Sequence, residues 1–270
     1  MGQLLNVLHY DFALRAIIAG VLVCLCAAVL GVSLVLKRYS MLGDGLSHVA
    51  FGSAAVALAC GFAPLKISIP VVIIAAFLLL RVSENGKIKG DAAIALVSSS
   101  ALAIGVAVAT MTTGMNTDIN NYMFGSILAL SKTDLVLSVV LSIIILLLFA
   151  LFYNKIFAVT FDENFASATG VKVKLYNSLL AILTAVTVVI GMRIMGALLI
   201  SSVITFPAVS AMRINKRYKT VTVLAAVISV LSFLIGISLS FAFDMPAGAA
   251  VVIINLLMFI ITSAISKIKA

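Results

Sequence analysis

Nine long stretches of this sequence carry almost no charge, and they leave the chain few folds to choose from. They run at about 12–36, 41–61, 67–82, 92–112, 134–153, 175–193, 195–212, 220–242 and 247–265. An α-helix needs about 20 apolar residues to cross the hydrocarbon core of a bilayer. Transmembrane β-strands are shorter and alternate in polarity, which these runs do not. The composition agrees: 64% hydrophobic and 10% charged, where a water-soluble domain is about half apolar and a quarter charged. The sequence predicts an all-α polytopic membrane protein with about eight to nine transmembrane helices, short loops and a cytoplasmic coupling helix. It reads as a single transmembrane domain over 1–270. The count stays between eight and nine because only Gly191, Arg193 and Gly196 interrupt the apolar sequence between the sixth and seventh runs.

The net charge of +9 follows the span ends and does not gather into a nucleic-acid patch. With the polar interval 154–174 placed in the cytoplasm, 14 of the 18 basic residues fall on that side and four on the other. The positive-inside rule selects this orientation. An odd number of spans then puts the N-terminus outside and the C-terminus inside. The three cysteines (Cys24, Cys26 and Cys60) lie in or beside apolar runs and read as packing residues. Met111, Met115, Met192 and Met195, near span ends, read the same way. The first apolar run is too long for a cleavable signal peptide.

Within the second run stands Tyr39-Ser-Met-Leu-Gly-Asp44-Gly-Leu-Ser47-His48. Asp44 and His48 are four residues apart, which places them on one helix face about one turn apart. Ser47 lies beside them and is a candidate pathway residue. Ionisable groups inside a membrane segment are costly, and they mark functional sites by default. The pair can ligate a divalent transition metal, hold two helices together as an ion pair, or relay protons. As ligands the two are incomplete, which suits an ion that must also leave. Pro207 breaks the backbone hydrogen bonding of a later run. Its neighbours Ser201, Ser202, Thr205, Ala208 and Ser210 are small, so this face favours close packing or lines a pathway.

The interval Phe161-Asp162-Glu163-Asn164-Phe165-Ala166-Ser167-Ala168-Thr169-Gly170 reads as a short helix. Asp162 caps it, Glu163 occupies its first turn and Gly170 ends it. Phe161 and Phe165 are expected to form one apolar face, as in a docking element for a soluble partner. Asp118 is expected in an outer loop. The segment 123–133 is expected to form a short re-entrant or interfacial piece. The sequence carries no G-x-x-x-x-G-K-S/T phosphate loop, no H-E-x-x-H and no G-x-S-x-G. It reads as a non-enzymatic subunit whose energy comes from a partner or an ion gradient.

Leu42-Gly43-Asp44-Gly45-Leu46-Ser47-His48 resembles the LGDALSHA signature of the membrane permeases of ABC importers for zinc, manganese and iron, departing at Gly45 and Val49. Phe161 to Gly170 resembles that family's cytoplasmic coupling segment. Gly196 to Ala211 resembles its late segment with Pro207, and Tyr122 to Leu128 resembles its L-F-G-x-I-L element. These pieces keep the family's order along most of the chain. The resemblance implies a homodimer in a bacterial cell membrane. It also implies two copies of a cytoplasmic ATP-binding subunit and an extracytoplasmic binding protein that delivers the metal. Asp44 and His48 become metal ligands, and Phe161, Asp162, Glu163, Phe165, Ala166 and Gly170 become the ATPase contact. The metal (Zn, Mn or Fe) is substrate, and no permanently bound cofactor is implied. A proton-coupled secondary metal transporter or channel is the alternative reading.

Overall fold

The computed structural model describes residues 11–84, 90–112, 121–125, 132–197 and 199–269. Asp118, Met115 and most of the 123–133 segment lie outside the described residues. Eleven principal helices are described: α1 (Asp11–Leu36), α2 (Ser40–Ala59), α3 (Pro64–Glu84), α4 (Gly90–Met111), α5 (Lys132–Leu151), α6 (Tyr153–Phe161), α7 (Glu163–Ala168), α8 (Val173–Met195), α9 (Ile200–Ile214), α10 (Tyr218–Phe243) and α11 (Ala247–Lys269).

Eight of these are long and apolar enough to cross a membrane, namely α1 to α5, α8, α10 and α11. The expected seventh run is the exception. It forms α9, only 15 residues long. Gly191 and Arg193 lie inside α8, and the chain breaks at Gly196. The break has a steric cause. Gly196 takes φ 91° and Gly125 takes φ 79°, backbone that only glycine enters readily. The two glycines face each other across adjoining loops. A Cβ on Gly125 would come within 2.7 Å of the Gly196 nitrogen, and one on Gly196 within 2.4 Å of the Met123 oxygen. The Ala197 amide donates to the Tyr122 carbonyl at 2.8 Å. Here Tyr122 to Gly125 is sewn to the end of α8.

α9 lies between α8 and α10 in the chain. It starts beside this glycine contact and ends near Tyr218, whose ring packs on Phe157 and Phe161. α6 and α7 lie at that second, basic end. Pro207 sits buried within α9. Pro70 sits within α3, which begins at Pro64.

α8 is the most enclosed span and α5 the most exposed. The main apolar core joins α1, α2, α8 and α9 through Leu30, Leu34, Leu46, Phe51, Ile190, Ile200 and Ile204. Met192 and Met195 belong to it, whereas Met111 is exposed. Outward faces carry Ile74, Leu78, Leu96, Leu147 and Ile260, an apolar surface suited to lipid. Cys24 and Cys26 are buried, and Cys60, at the end of α2 away from Asp44, is exposed.

Candidate metal site and docking face

α1 and α2 are joined by three residues, and the geometry of that turn aims the candidate site. The Tyr39 amide donates to Leu34 and the Arg38 amide to Val35. This is the paired pattern of a Schellman helix end. Arg38 takes the left-handed position, φ 61°, which is uncommon for a residue with a side chain. Ser40 then starts α2 directly. Asp44 lies four residues into α2, about 6 Å along its axis from Ser40, and His48 about 12 Å.

His48 Nε2 stands 3.7 Å from Asp44 Oδ2, with the two side chains 12% and 36% exposed. That separation is too long for a hydrogen bond. His48 Nδ1 is buried and has no hydrogen-bond partner. An imidazole buried in this way leaves its polar capacity unused at a cost. The arrangement leaves an imidazole beside a carboxylate without a hydrogen bond between them. No cluster of three or more His, Cys, Asp or Glu side chains exists among the described residues. The candidate site therefore has two side chains of ligand type, Asp44 and His48.

Ser47 is fully buried, and its hydroxyl donates to the Asp44 carbonyl at 2.7 Å. It fastens the turn bearing Asp44, and its hydroxyl is spent on its own helix. Pro207 lies one turn beyond Ile204, whose Cδ1 approaches Gly43. α9 thus packs against the Asp44 turn through Ile204. The glycine at position 45 also has a packing reason. A Cβ there would meet Ile94 Cγ2 of α4 at 2.6 Å.

The 154–174 interval forms two helices. α6 follows α5 after a turn at Phe152, and α7 follows after Asp162. The Asp162 carboxylate accepts from the Phe165 amide at 2.9 Å, capping α7 as its spacing suggests. To do so Asp162 adopts an extended backbone, φ −152° and ψ 102°. This corrects the expectation of one Phe161/Phe165 face, because the cap separates them. Phe161 ends α6 and packs on Phe157 and Tyr218. Phe165 projects from α7 and is 64% exposed. α7 ends with Gly170 at φ 81°, where the Val171 amide reaches Ala166 and the Gly170 amide reaches Ser167, a second Schellman end. Ala166 is fully buried and seats α7 on the bundle.

Glu163 is half-exposed, and its carboxylate reaches back to the bundle. Its carboxylate pairs with Lys37 at 2.5 Å and accepts from the Asn177 amide at 3.1 Å. Partial burial pushes its carboxyl up, but the hydrogen bonds from Lys37 and Asn177 and the charge of Lys37 hold it below the usual glutamate range. Beside α7 opens a cleft of about 800 Å³ lined by Tyr39, Glu163, Asn164, Ser167, Val171 and Lys172. Lys37, Asn177, Asp134 and Arg193 were not singled out by sequence as site residues. A lone amide at Asn177 in an otherwise apolar stretch was the one available signal.

The chain is 29% identical over 254 residues to a manganese transport system membrane protein of Halalkalibacterium halodurans, covering 94% of this chain and 87% of that protein. It is 28% identical over 253 residues to a high-affinity zinc uptake system membrane protein of Haemophilus influenzae, covering 94% and 97%. Among solved structures, PsaBC from Streptococcus pneumoniae in complex with Fab superposes with a TM-score of 0.89 at 27% identity, covering 100% of this chain and 99% of that one. The model of the ABC 3 transport family matches residues 9–266. With an aspartate–histidine pair in the second span and a multi-pass helical bundle around it, the chain belongs to the ABC 3 transport family as a membrane permease of metal-type ABC importers.

Proposed function

We propose that this permease conducts a divalent transition metal ion (Zn, Mn or Fe) into the cytoplasm past Asp44 and His48, driven by ATP hydrolysis on a partner subunit seated on α7. The observation that carries the reading is the buried, unpartnered Nδ1 of His48, with Nε2 3.7 Å from the Asp44 carboxylate. A pair serving only to tie helices together would be expected to close to hydrogen-bond distance. A nitrogen and an oxygen ligand suit a borderline metal, and a two-ligand site lets it go. Water, backbone or a second copy of the chain supplies the remaining positions.

The docking face supports the energetic half of the proposal. Phe165 is exposed on a short capped helix at the basic end, beside an open cleft. Asp162, Glu163, Ala166 and Gly170 hold that helix in shape, and Phe161 braces it through Phe157 and Tyr218. A homodimer fits the family, as does a binding protein delivering metal to the outer face. The metal is left among three, because relatives of almost equal identity are named for manganese and for zinc.

The test is metal uptake by cells or proteoliposomes carrying Asp44→Asn or His48→Ala. Uptake is expected to be lost while the ATP-binding subunit still co-purifies. Normal uptake in both variants would sink the ligand assignment. Accumulation by the permease alone under a proton gradient, without ATP, would establish the secondary-transport alternative.

A further inference from the structure

The side chain of Lys37 is only 4% exposed. A buried ammonium is costly unless each proton finds an acceptor, and here each does. Nζ donates to the Val159 carbonyl of α6 at 3.1 Å, to Glu163 of α7 and to Asn177 Oδ1 of α8 at 2.7 Å. Asn177 in turn donates to Glu163 at 3.1 Å. One lysine therefore ties three consecutive helices of the docking face together.

Lys37 is also the last residue before the left-handed Arg38 in the turn that opens into α2. Two backbone hydrogen bonds lock that turn. Backbone held at φ 61° on a residue with a side chain persists only where its surroundings over-determine it. Between Lys37 and the first residue of α2 there are only Arg38 and Tyr39. A displacement of α7 that carries Lys37 with it has little slack to absorb it before α2 moves. Tyr39 adds a second contact, since its ring lies 5.9 Å from Lys37 Nζ and lines the same cleft as Glu163.

We propose that Lys37 is the positioning residue that couples the docking helix α7 to the metal-bearing helix α2. Its ammonium clamps Glu163 and Asn177 while its backbone forms the turn from which α2 and Asp44 are hung. The proposal rests on the ATPase-driven reading above. It assigns Lys37 no contact with metal. Neutralising the clamp leaves α7 folded, because the Asp162 cap and the buried Ala166 remain, but loosens its tie to the bundle and lets α7 move without α2.

The experiment uses the whole complex in proteoliposomes: permease, ATP-binding subunit and binding protein, loaded with Mn(II) or Zn(II). Glu163→Gln removes the charge from a half-exposed side chain, and Lys37→Met removes the buried ammonium while keeping its length. The readouts are metal moved per ATP hydrolysed, subunit stoichiometry and thermal stability. Metal moved per ATP hydrolysed, normalised to the ATP-binding subunit bound, is expected to fall at least tenfold in both variants, and Lys37→Met, which alters no residue of the docking surface, is expected to retain the ATP-binding subunit and continue hydrolysis. The double variant is expected to be no worse than Lys37→Met alone. Wild-type metal per ATP in Glu163→Gln would overturn the proposal, as would a loss of transport fully explained by less folded complex. If Lys37→Met does not accumulate, Glu163→Gln decides the matter alone. A wild-type complex that moves metal without ATP overturns the function proposed above together with this linkage; ATP-driven wild type with fully coupled variants overturns the linkage only.

Discussion

Arg193, near the end of α8, binds Asp134, in the first turn of α5, with Nη2 3.1 Å from Oδ2 and both side chains about 15% exposed. The same guanidinium donates to the Tyr122 hydroxyl at 3.1 Å and lies 5.2 Å from the centre of its ring. Three separate segments meet on one arginine at the end of the bundle opposite α7. Arg193→Ala and Asp134→Ala are each expected to destabilise the permease by about 2 kcal/mol, between the surface and buried limits for ion pairs. Their effects should be strongly non-additive in the double variant. Thermal unfolding in detergent measures both points, and full additivity would show that the pair is idle.

The Asp162 cap is separable from the charge beside it. Asp162→Ala is expected to cost about 1 kcal/mol of local helix stability and to weaken co-purification of the ATP-binding subunit. Asp162→Ser, which can still accept from the Phe165 amide, should restore both. Equal association in all three proteins would remove the helix from the docking surface.

Acid titration tests the Glu163 clamp. Its carboxyl lies below the usual glutamate value in the folded protein, so the native state favours the ionised form. The resulting stabilisation is present above the unfolded value of about 4.3 and is lost as pH falls through the lower folded value. Protection of the α7 amides, taken relative to their intrinsic exchange rate at each pH, should hold from neutral pH to about 4.3 and fall below it. Glu163→Gln should abolish that pH dependence. An unchanged acid response in the variant would assign it to another group.

Gly196→Ala places a side chain at φ 91° and ψ 150°, a region open essentially to glycine, at a cost of about 1–3 kcal/mol for strain alone. Its Cβ would also press on backbone atoms of Met123 and Phe124 within 2.5 Å. Neither can retreat cheaply, so the variant should unfold more easily and accumulate poorly. Native-like stability would mean that the 121–125 loop is free to shift.

Much of the fold was legible because length and polarity govern membrane helices. Eight of nine apolar runs became spans with ends shifted by a few residues. The seventh run could not be judged from polarity, since the break at Gly196 is set by a backbone contact with Gly125, 71 positions away. The Asp44–His48 proximity was legible because a helix puts residues four apart on one face. The idle Nδ1 was not, because it depends on what other helices fail to offer. Asp162 announced its cap, but the extended backbone that capping demands is invisible to spacing, and so Phe161 and Phe165 were placed on one face. Lys37 looked like a topology marker at a span end. Its partners lie 122 to 140 residues away in sequence, and only the folded chain brings them together.

The contrast between Cys60 and the other two cysteines gives the molecule a native fiducial. Cys24 and Cys26 are enclosed, so a maleimide reagent reaches one thiol, and that thiol stands about 18 Å along α2 from His48. A nitroxide attached there reads distance within a single rigid helix. Paramagnetic Mn(II) resting at His48 would shorten the label's relaxation, while Zn(II) at the same place would be silent. The unmodified sequence thus already contains a ruler for asking whether, and when, cargo occupies the second span.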